Sequence, residues 1–378
     1  MHALTDGVQM GGLEMATVQT VKHTEYVDQL VQLFNSVFGQ KMSPESWMWK
    51  HLANPLNECE PSVVVAMDNG AVVGARPLMR VNLRYSDALL PAVVPCDTMV
   101  HPEYQRQGIF ARMNQSAIEQ EHARGTALLF NFPNRISGAG YIKQGWREVS
   151  VLRDLIFLTN PERVAKAFCE TDWVVAAARL TYGALFGRRG ERLTGRANAV
   201  EVLMYDKYPE SLSSMRSLYD ANRLELDRTR AFMRWRLDDN PLEECRYLLA
   251  YAHGQLAGYM ALAMSPRSHG LKQGFIVDCV VQDYDIRVFS SLVASSVRLL
   301  IDLGCDYIRA WGVQHPSFHR FLVSEAGFWA IPLPLLKLAV GDRLPRLVVR
   351  TLNSGLPESL DLLSPSCWNL TPIFGDPT

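Results

Sequence analysis

The stretch Met99-Val100-His101-Pro102-Glu103-Tyr104-Gln105-Arg106-Gln107-Gly108-Ile109-Phe110-Ala111-Arg112-Met113 decides how this chain is read. It opens as an apolar strand, turns at Pro102, and passes through a Gln/Arg-rich loop closed by Gly108. It then continues as a helix with Ile109, Met113 and Ala117 on one face and Gly125 as the expected stop. Helix starts ordinarily collect Asp or Glu, because the first-turn amides and the dipole are positive there. Here Arg106 and Arg112 flank the start, and the first carboxylate inside the helix is Glu119. Bare amides, two cations and a close-approach glycine suit an external anion, most simply a phosphate. A solvated turn before an ordinary surface helix is the alternative.

Working outward, 378 residues allow two domains or one large one, and 48% hydrophobic with 20% charged residues fits a globular enzyme. A net charge of −1 gives no bulk electrostatic footprint for nucleic acid. The seven cysteines are scattered and never form a C-x-x-C pair, which predicts buried reduced thiols in a cytoplasmic protein. Residues 1–15 carry no signal pattern and are expected to be a flexible leader. The longest apolar stretch, Trp173 to Phe186, contains Arg179 and is too short for a bilayer, so no transmembrane segment is expected.

The chain repeats itself. Trp49-Lys50 followed by Asn54-Pro55-Leu56-Asn57-Glu58-Cys59 recurs as Trp235-Arg236 followed by Asn240-Pro241-Leu242-Glu243-Glu244-Cys245, at a constant offset of 186 residues. Gly70 and Gly74 after Val63–Ala66 match Gly254 and Gly258 after Leu248–Tyr251, and both stretches read as hairpins. Asp97-Thr98-Met99-Val100 parallels Asp278-Cys279-Val280-Val281, and Gln144-Gly145-Trp146 parallels Ala326-Gly327-Phe328. Two copies of one α/β unit follow, each reading strand, helix, hairpin, long strand, helix, strand, helix. The expected division is a first unit over 16–155, a helical linker over 156–198 ending near Arg188-Arg189, a second unit over 199–335, and an irregular, proline-rich tail over 336–378. Trp368 suggests that this tail wraps back over a domain.

Gln105-Arg106-Gln107-Gly108-Ile109-Phe110 after a strand resembles motif A of the GNAT superfamily of acyl-coenzyme A-dependent transferases, whose pattern is Gln/Arg-x-x-Gly-x-Gly/Ala. Gln105 and Gly108 match; Phe110 departs at the last position. Asn134, then Tyr141 seven residues on, then Gly145-Trp146 four later, is similar to the family's later motif. The layout resembles tandem-GNAT proteins, and the string Asp97-Thr98-Met99-Val100-His101-Pro102 with Gly108-Ile109-Phe110 looks closest to acyltransferases for nucleotide-linked amino sugars. The resemblance implies a mixed α/β fold of two tandem GNAT-like domains, the second degenerate, and a direct transfer of an acyl group from acyl-coenzyme A to a primary amine. Acyl-coenzyme A is then a co-substrate, with no permanently bound cofactor and no metal. The partner implied is a small-molecule amine acceptor, with self-association left open. A Fem-type aminoacyl transferase and a non-catalytic binding protein of the same fold are the alternatives.

In this reading the amides of Gln105, Arg106, Gln107, Gly108, Ile109 and Phe110 take the pyrophosphate, and Thr98, Met99 and Val100 hold the pantetheine as an added strand. One strand amide would stabilise the tetrahedral oxyanion, a contribution of about 3 kcal/mol. Tyr141 is the expected general acid for the departing thiolate, or else an aromatic packed on a helix. Asn134 is a candidate beside it, or an Asx turn. Asp97 is a candidate base, although Asp278 at the parallel position makes a structural hydrogen-bonder equally readable. Counting from the paired Asp and Gly landmarks, Gln105, Gly108, Asn134 and Tyr141 fall at Ile286, Phe289, Pro316 and Val323, which predicts no second coenzyme A site. His315 and His319 stand at i and i+4 but lack a third metal ligand nearby. Arg309 and Arg320 are candidates for phosphates on the acceptor.

Overall fold

The computed structural model describes residues 16–375 except 40, 58–60, 134, 153, 169–170, 172, 174, 177–179, 181, 183–187, 196–198, 312–314, 331–345 and 354. The first sheet has the order β1-β2-β3-β6, with β1 Thr17–Lys22, β2 Ser62–Asp68, β3 Ala71–Arg76 and β6 Met99–Val100. The second has the order β11-β4-β5-β7-β17-β8, with β4 Leu78–Tyr85, β5 Ala88–Pro95, β7 Leu128–Asn131, β8 Arg147–Val151, β11 Glu225–Leu226 and β17 Arg346–Thr351. The third has the order β10-β12-β13-β14-β15-β9-β16. Its strands are β9 Asp154–Leu158, β10 Glu201–Tyr205, β12 Glu244–Ala252, β13 Gln255–Pro266, β14 Lys272–Val281, β15 Tyr307–Trp311 and β16 Trp329–Ala330.

The sequence repeat is a structural repeat. The β2–β3 turn holds Asn69 and Gly70 at φ 47° and 82°, and the β12–β13 turn holds His253 and Gly254 at φ 52° and 76°. Two successive left-handed residues give the tight hairpin whose twist matches its strands. Each hairpin also slips register at the matched place, between Ala66 and Met67 and between Ala250 and Tyr251. In the first unit α1 Val27–Phe38 and α2 Pro44–His51 cover one face of the first sheet, with Ser43 capping α2. α3 Ile109–Ala123 covers the other, allowed close by Gly74, where a Cβ would lie 3.2 Å from Ile109 and 3.3 Å from Met113. The helix α4 Arg135–Lys143 follows β7, and in the second unit α5 Ile286–Asp302 and α6 Pro316–Ser324 correspond to α3 and α4. At the place of α1 the second unit has only a 3-10 stretch, Glu210–Leu218.

Two expectations are corrected. The boundary drawn at 155/156 falls inside β9, and β9 belongs to the sheet of the other unit, pairing with β15 and β16. The tail is not irregular throughout: Arg346–Thr351, with Leu347, Val348 and Val349 buried in succession, forms β17, paired with β7 and β8 of the first unit. Each unit thus receives, between its last two strands, a strand from outside its own span. The exchange is echoed at the centre, where Trp49 Nε1 donates to the carbonyl of Trp235 and Trp235 Nε1 donates to that of Trp49, both at 2.8 Å. The repeated tryptophans therefore face each other across an internal near-twofold. Their surroundings form one core spanning both units, which also buries Trp368 from the tail.

Candidate functional site

Strands β5 and β7 run parallel and pair only at Ala92–Leu128 and Val93–Leu129. Beyond that point the chain bends through Cys96-Asp97-Thr98, with Asp97 left-handed at φ 43°, and rejoins the first sheet as β6 beside β3. β7 runs on instead to Asn131, so the two strands splay at their carboxyl ends, where open α/β sheets place their ligands. Thr98, Asn131, Tyr141 and Arg76 meet at the root of this opening.

The loop at the mouth runs from His101 to Gly108. Arg106 and Gly108 are both left-handed (φ 63° and 73°), and Gln105 through Gly108 are exposed. Tyr104 anchors the loop by donating to Asp68 at 2.6 Å, and Gln105 Nε2 donates to the carbonyl of Val100 at 3.2 Å. α3 has no side-chain cap at its start and no acid in its first turn, so its leading amides face outward unclaimed by a side chain. Phe110, at the position where the motif has Gly or Ala, turns inward. Its ring meets Tyr141 edge-on at 5.6 Å, and Gly140 makes room, since a Cβ there would lie 3.3 Å from it.

Tyr141 is buried on α4, with Trp146 edge-on at 4.8 Å. Its hydroxyl oxygen accepts from Asn131 Nδ2 at 2.8 Å and from Arg76 Nη1 at 3.3 Å. The sequence drew attention to Asn134, which lies outside the described residues. Asn131 and Arg76 were passed over. Period-2 counting from Leu129 could have placed Asn131 on the Tyr141 side of the sheet, and Arg76, two residues beyond the packing glycine Gly74, could have been placed the same way.

Asp97 is held from α2, with Lys50 Nζ at 2.7 Å and His51 Nε2 at 2.9 Å. Burial alone would raise its pKa, but the Lys50 cation and the His51 hydrogen bond outweigh it and hold the carboxyl well below the usual range. Burial pushes His51 down against the pull of Asp97. Burial, with His51 beside it, brings His23 to about 3, which suits its role as acceptor for Trp47 Nε1 at 2.9 Å.

The second unit lacks these features. Its loop from Asp278 to the helix is four residues shorter than that from Asp97, so the residue at the start of α5 is Asp285, and Phe289 lies a turn further in. The Asp285 side chain accepts from Arg287 N and caps the helix, putting a carboxylate where α3 leaves amides open. Asp278 is sealed in a buried network with Arg228 at 2.7 and 3.0 Å, Thr371 at 2.7 Å, and Tyr259. Strand register places Met260 and Ala310 opposite Arg76 and Asn131, and the paired glycines Gly145 and Gly327 place Val323 opposite Tyr141. His315 stacks on Tyr284 at 4.4 Å and caps α6, and Arg309 pairs with Asp154 at 2.5 Å. Among the described residues no helix is long and apolar enough to cross a membrane.

A splayed parallel strand pair, an uncapped glycine-cornered helix start at its mouth and a buried tyrosine behind it make up the candidate site. Residues 17–149 match the acetyltransferase (GNAT) domain family model. No curated protein sequence matches it. Among solved structures it is similar to a GCN5-related N-acetyltransferase from Anabaena variabilis (13% identity, 89% of this chain and 73% of that one, TM-score 0.59). It is also similar to N-myristoyltransferase from Saccharomyces cerevisiae with bound myristoyl-CoA and inhibitors (11%, 89% and 80%, 0.58). A third is a tandem GNAT protein from the clavulanic acid biosynthesis pathway (13%, 90% and 100%, 0.54). At these identities the likeness is one of fold.

Proposed function

We propose that the first unit binds acyl-coenzyme A and passes its acyl group directly to a primary amine, with an amino sugar, free or nucleotide-linked, as the acceptor class. The observation that carries this is the Tyr141 hydroxyl, buried at the root of the splay and behind the open amides of α3. In this proposal the amides of Gln105 to Phe110 take the diphosphate, and Thr98, Met99 and Val100 line the pantetheine. The amine attacks the thioester carbonyl, the tetrahedral intermediate expels the thiolate, and Tyr141 supplies a proton to that sulfur.

Asp97, kept ionised by Lys50 and His51, is a poor proton acceptor. Its part in this proposal is to pin the bend that aims Thr98 and Met99, and the ammonium proton leaves to water. The acceptor class rests on the sequence likeness around Asp97–Pro102, and Asn134 stays a candidate beside Tyr141. The test is thiol release from acyl-coenzymes A of increasing chain length, offered simple amines, amino acids, free amino sugars and nucleotide-linked amino sugars. Tyr141→Phe should lower kcat about 100-fold while leaving the KM for acyl-coenzyme A nearly unchanged. Unchanged kcat would remove Tyr141 from the chemistry, and turnover confined to other amines would remove the amino sugar.

A further inference from the structure

Arg76 ends β3 and is fully buried, yet no carboxylate pairs with it among the described residues. Its Nη1 donates to Tyr141 and, at 3.2 Å, to the hydroxyl of Thr98; its Nε and Nη2 are buried without a partner among the described residues. The guanidinium carbon lies 5.3 Å from the Tyr141 ring centre and 5.5 Å from that of Phe110. Burying an unpaired cation is costly, and such a group persists where its charge has a use.

The phenol shows what that use is. Asn131 Oδ1 accepts from Phe132 N at 2.7 Å, which fixes the amide so that its NH₂, not its oxygen, faces Tyr141. The Tyr141 oxygen therefore accepts from two donors, Asn131 and Arg76. A phenol has two acceptor positions and one hydrogen. With both acceptor positions used, the hydrogen is the group left for a third partner.

We infer that Arg76, with Asn131, is a positioning residue that makes Tyr141 a one-way proton donor and holds the phenolate formed when the proton has gone. The inference rests on the proposed role of Tyr141. When the C–S bond breaks, its electron pair goes to sulfur and the Tyr141 proton follows. The phenolate oxygen then keeps two hydrogen bonds, one of them from an uncompensated cation, and regains its proton from water. The second unit supports the grouping independently. Met260, Ala310 and Val323 stand at the places of Arg76, Asn131 and Tyr141, so the three polar groups are replaced together in the copy whose helix start is closed by Asp285. Met260 and Ala310 there line one cavity together.

The test is a double-mutant cycle on the full chain, using the best acyl-coenzyme A and amine pair from the panel above. Arg76→Met should lower kcat about 10- to 100-fold with little change in the KM for acyl-coenzyme A, and Arg76→Lys should recover part of that loss. In the Tyr141→Phe background, Arg76→Met should cost less than about threefold, because its effect runs through the missing hydroxyl. If Arg76→Met slows the Tyr141→Phe enzyme as much as the wild type, or leaves the wild type at full kcat, the inference is overturned. Full activity of Tyr141→Phe alone instead overturns the general-acid reading, whatever Arg76 does. Should Arg76→Met fail to fold, Asn131→Ala in both backgrounds poses the same question, and additive losses there refute the arrangement.

Discussion

Placing a carboxylate at the open start of α3 tests the proposed anion site most directly. Gly108→Asp copies what the second unit does with Asp285. Nothing lies within 4 Å of a Cβ at Gly108, so the change meets no steric obstacle. The left-handed backbone, φ 73°, costs an Asp about 1 kcal/mol. Its carboxylate near the first-turn amides gives back a similar amount, about 0.5–1 kcal/mol, so the fold should be nearly as stable as before. Binding should not survive as well. A unit charge at roughly 6 Å from a diphosphate charge, at an effective dielectric of about 20, costs about 3 kcal/mol. That is roughly 100-fold in Kd. Gly108→Asn has the same shape, tolerates the left-handed region and carries no charge, so it should bind within a few-fold of the wild type. Calorimetric titration with coenzyme A, beside thermal melts of all three proteins, reads both quantities. Equal affinities for the Asp and Asn variants would refute the assignment of the diphosphate to this helix start.

Other consequences are as specific. Trp49→Phe and Trp235→Phe each strand a buried carbonyl across the near-twofold and should each cost about 1–3 kcal/mol, read as a lower urea midpoint. Asp285→Ala should cost about 1 kcal/mol through the lost cap while leaving kcat and coenzyme A affinity alone, as thermal melts and steady-state rates would show. His23, lowered to about 3, binds fewer protons folded than unfolded below pH 6.5, so stability should fall as pH drops from 6.5 towards 3. His23→Gln keeps an acceptor for Trp47 and should flatten that slope by about 1.4 kcal/mol per pH unit in urea titrations between pH 6 and 4. Asp97, held low, adds stability above about pH 4 that is lost as acid protonates it, which Asp97→Asn should remove.

The His101–Gly108 loop and the helix behind it were legible because their signals are local: a turn proline, a glycine that must be left-handed, a missing acid and a regular apolar face. The repeat was legible because Trp and Asn-Pro are chemically distinctive. The tyrosine's partners were not. Arg76 and Asn131 reach Tyr141 from strands 65 and 10 residues away, and only the splay of β5 from β7 brings them together. Asp97 could be noticed but not interpreted, since its ion pair with Lys50 depends on how α2 docks. Nor could counting align the two loops, because an offset fixed at the Asp residues cannot see that the second is four residues shorter. The exchanged strands were hidden for a plain reason: β9 and β17 are ordinary short apolar segments, and nothing in them names the sheet they join.

That exchange has an evolutionary reading. An ancestral single unit with its final strand reaching into a neighbour would have been an obligate pair of identical chains, each finishing the other's sheet. Joining two such genes end to end keeps every contact within one polypeptide and removes the need for both copies to stay alike. The two halves could then diverge, one keeping an uncapped helix start and the other a shorter loop closed by Asp285. Cutting the chain between the halves should therefore leave an assembly whose stability depends on concentration, as a dimer's does.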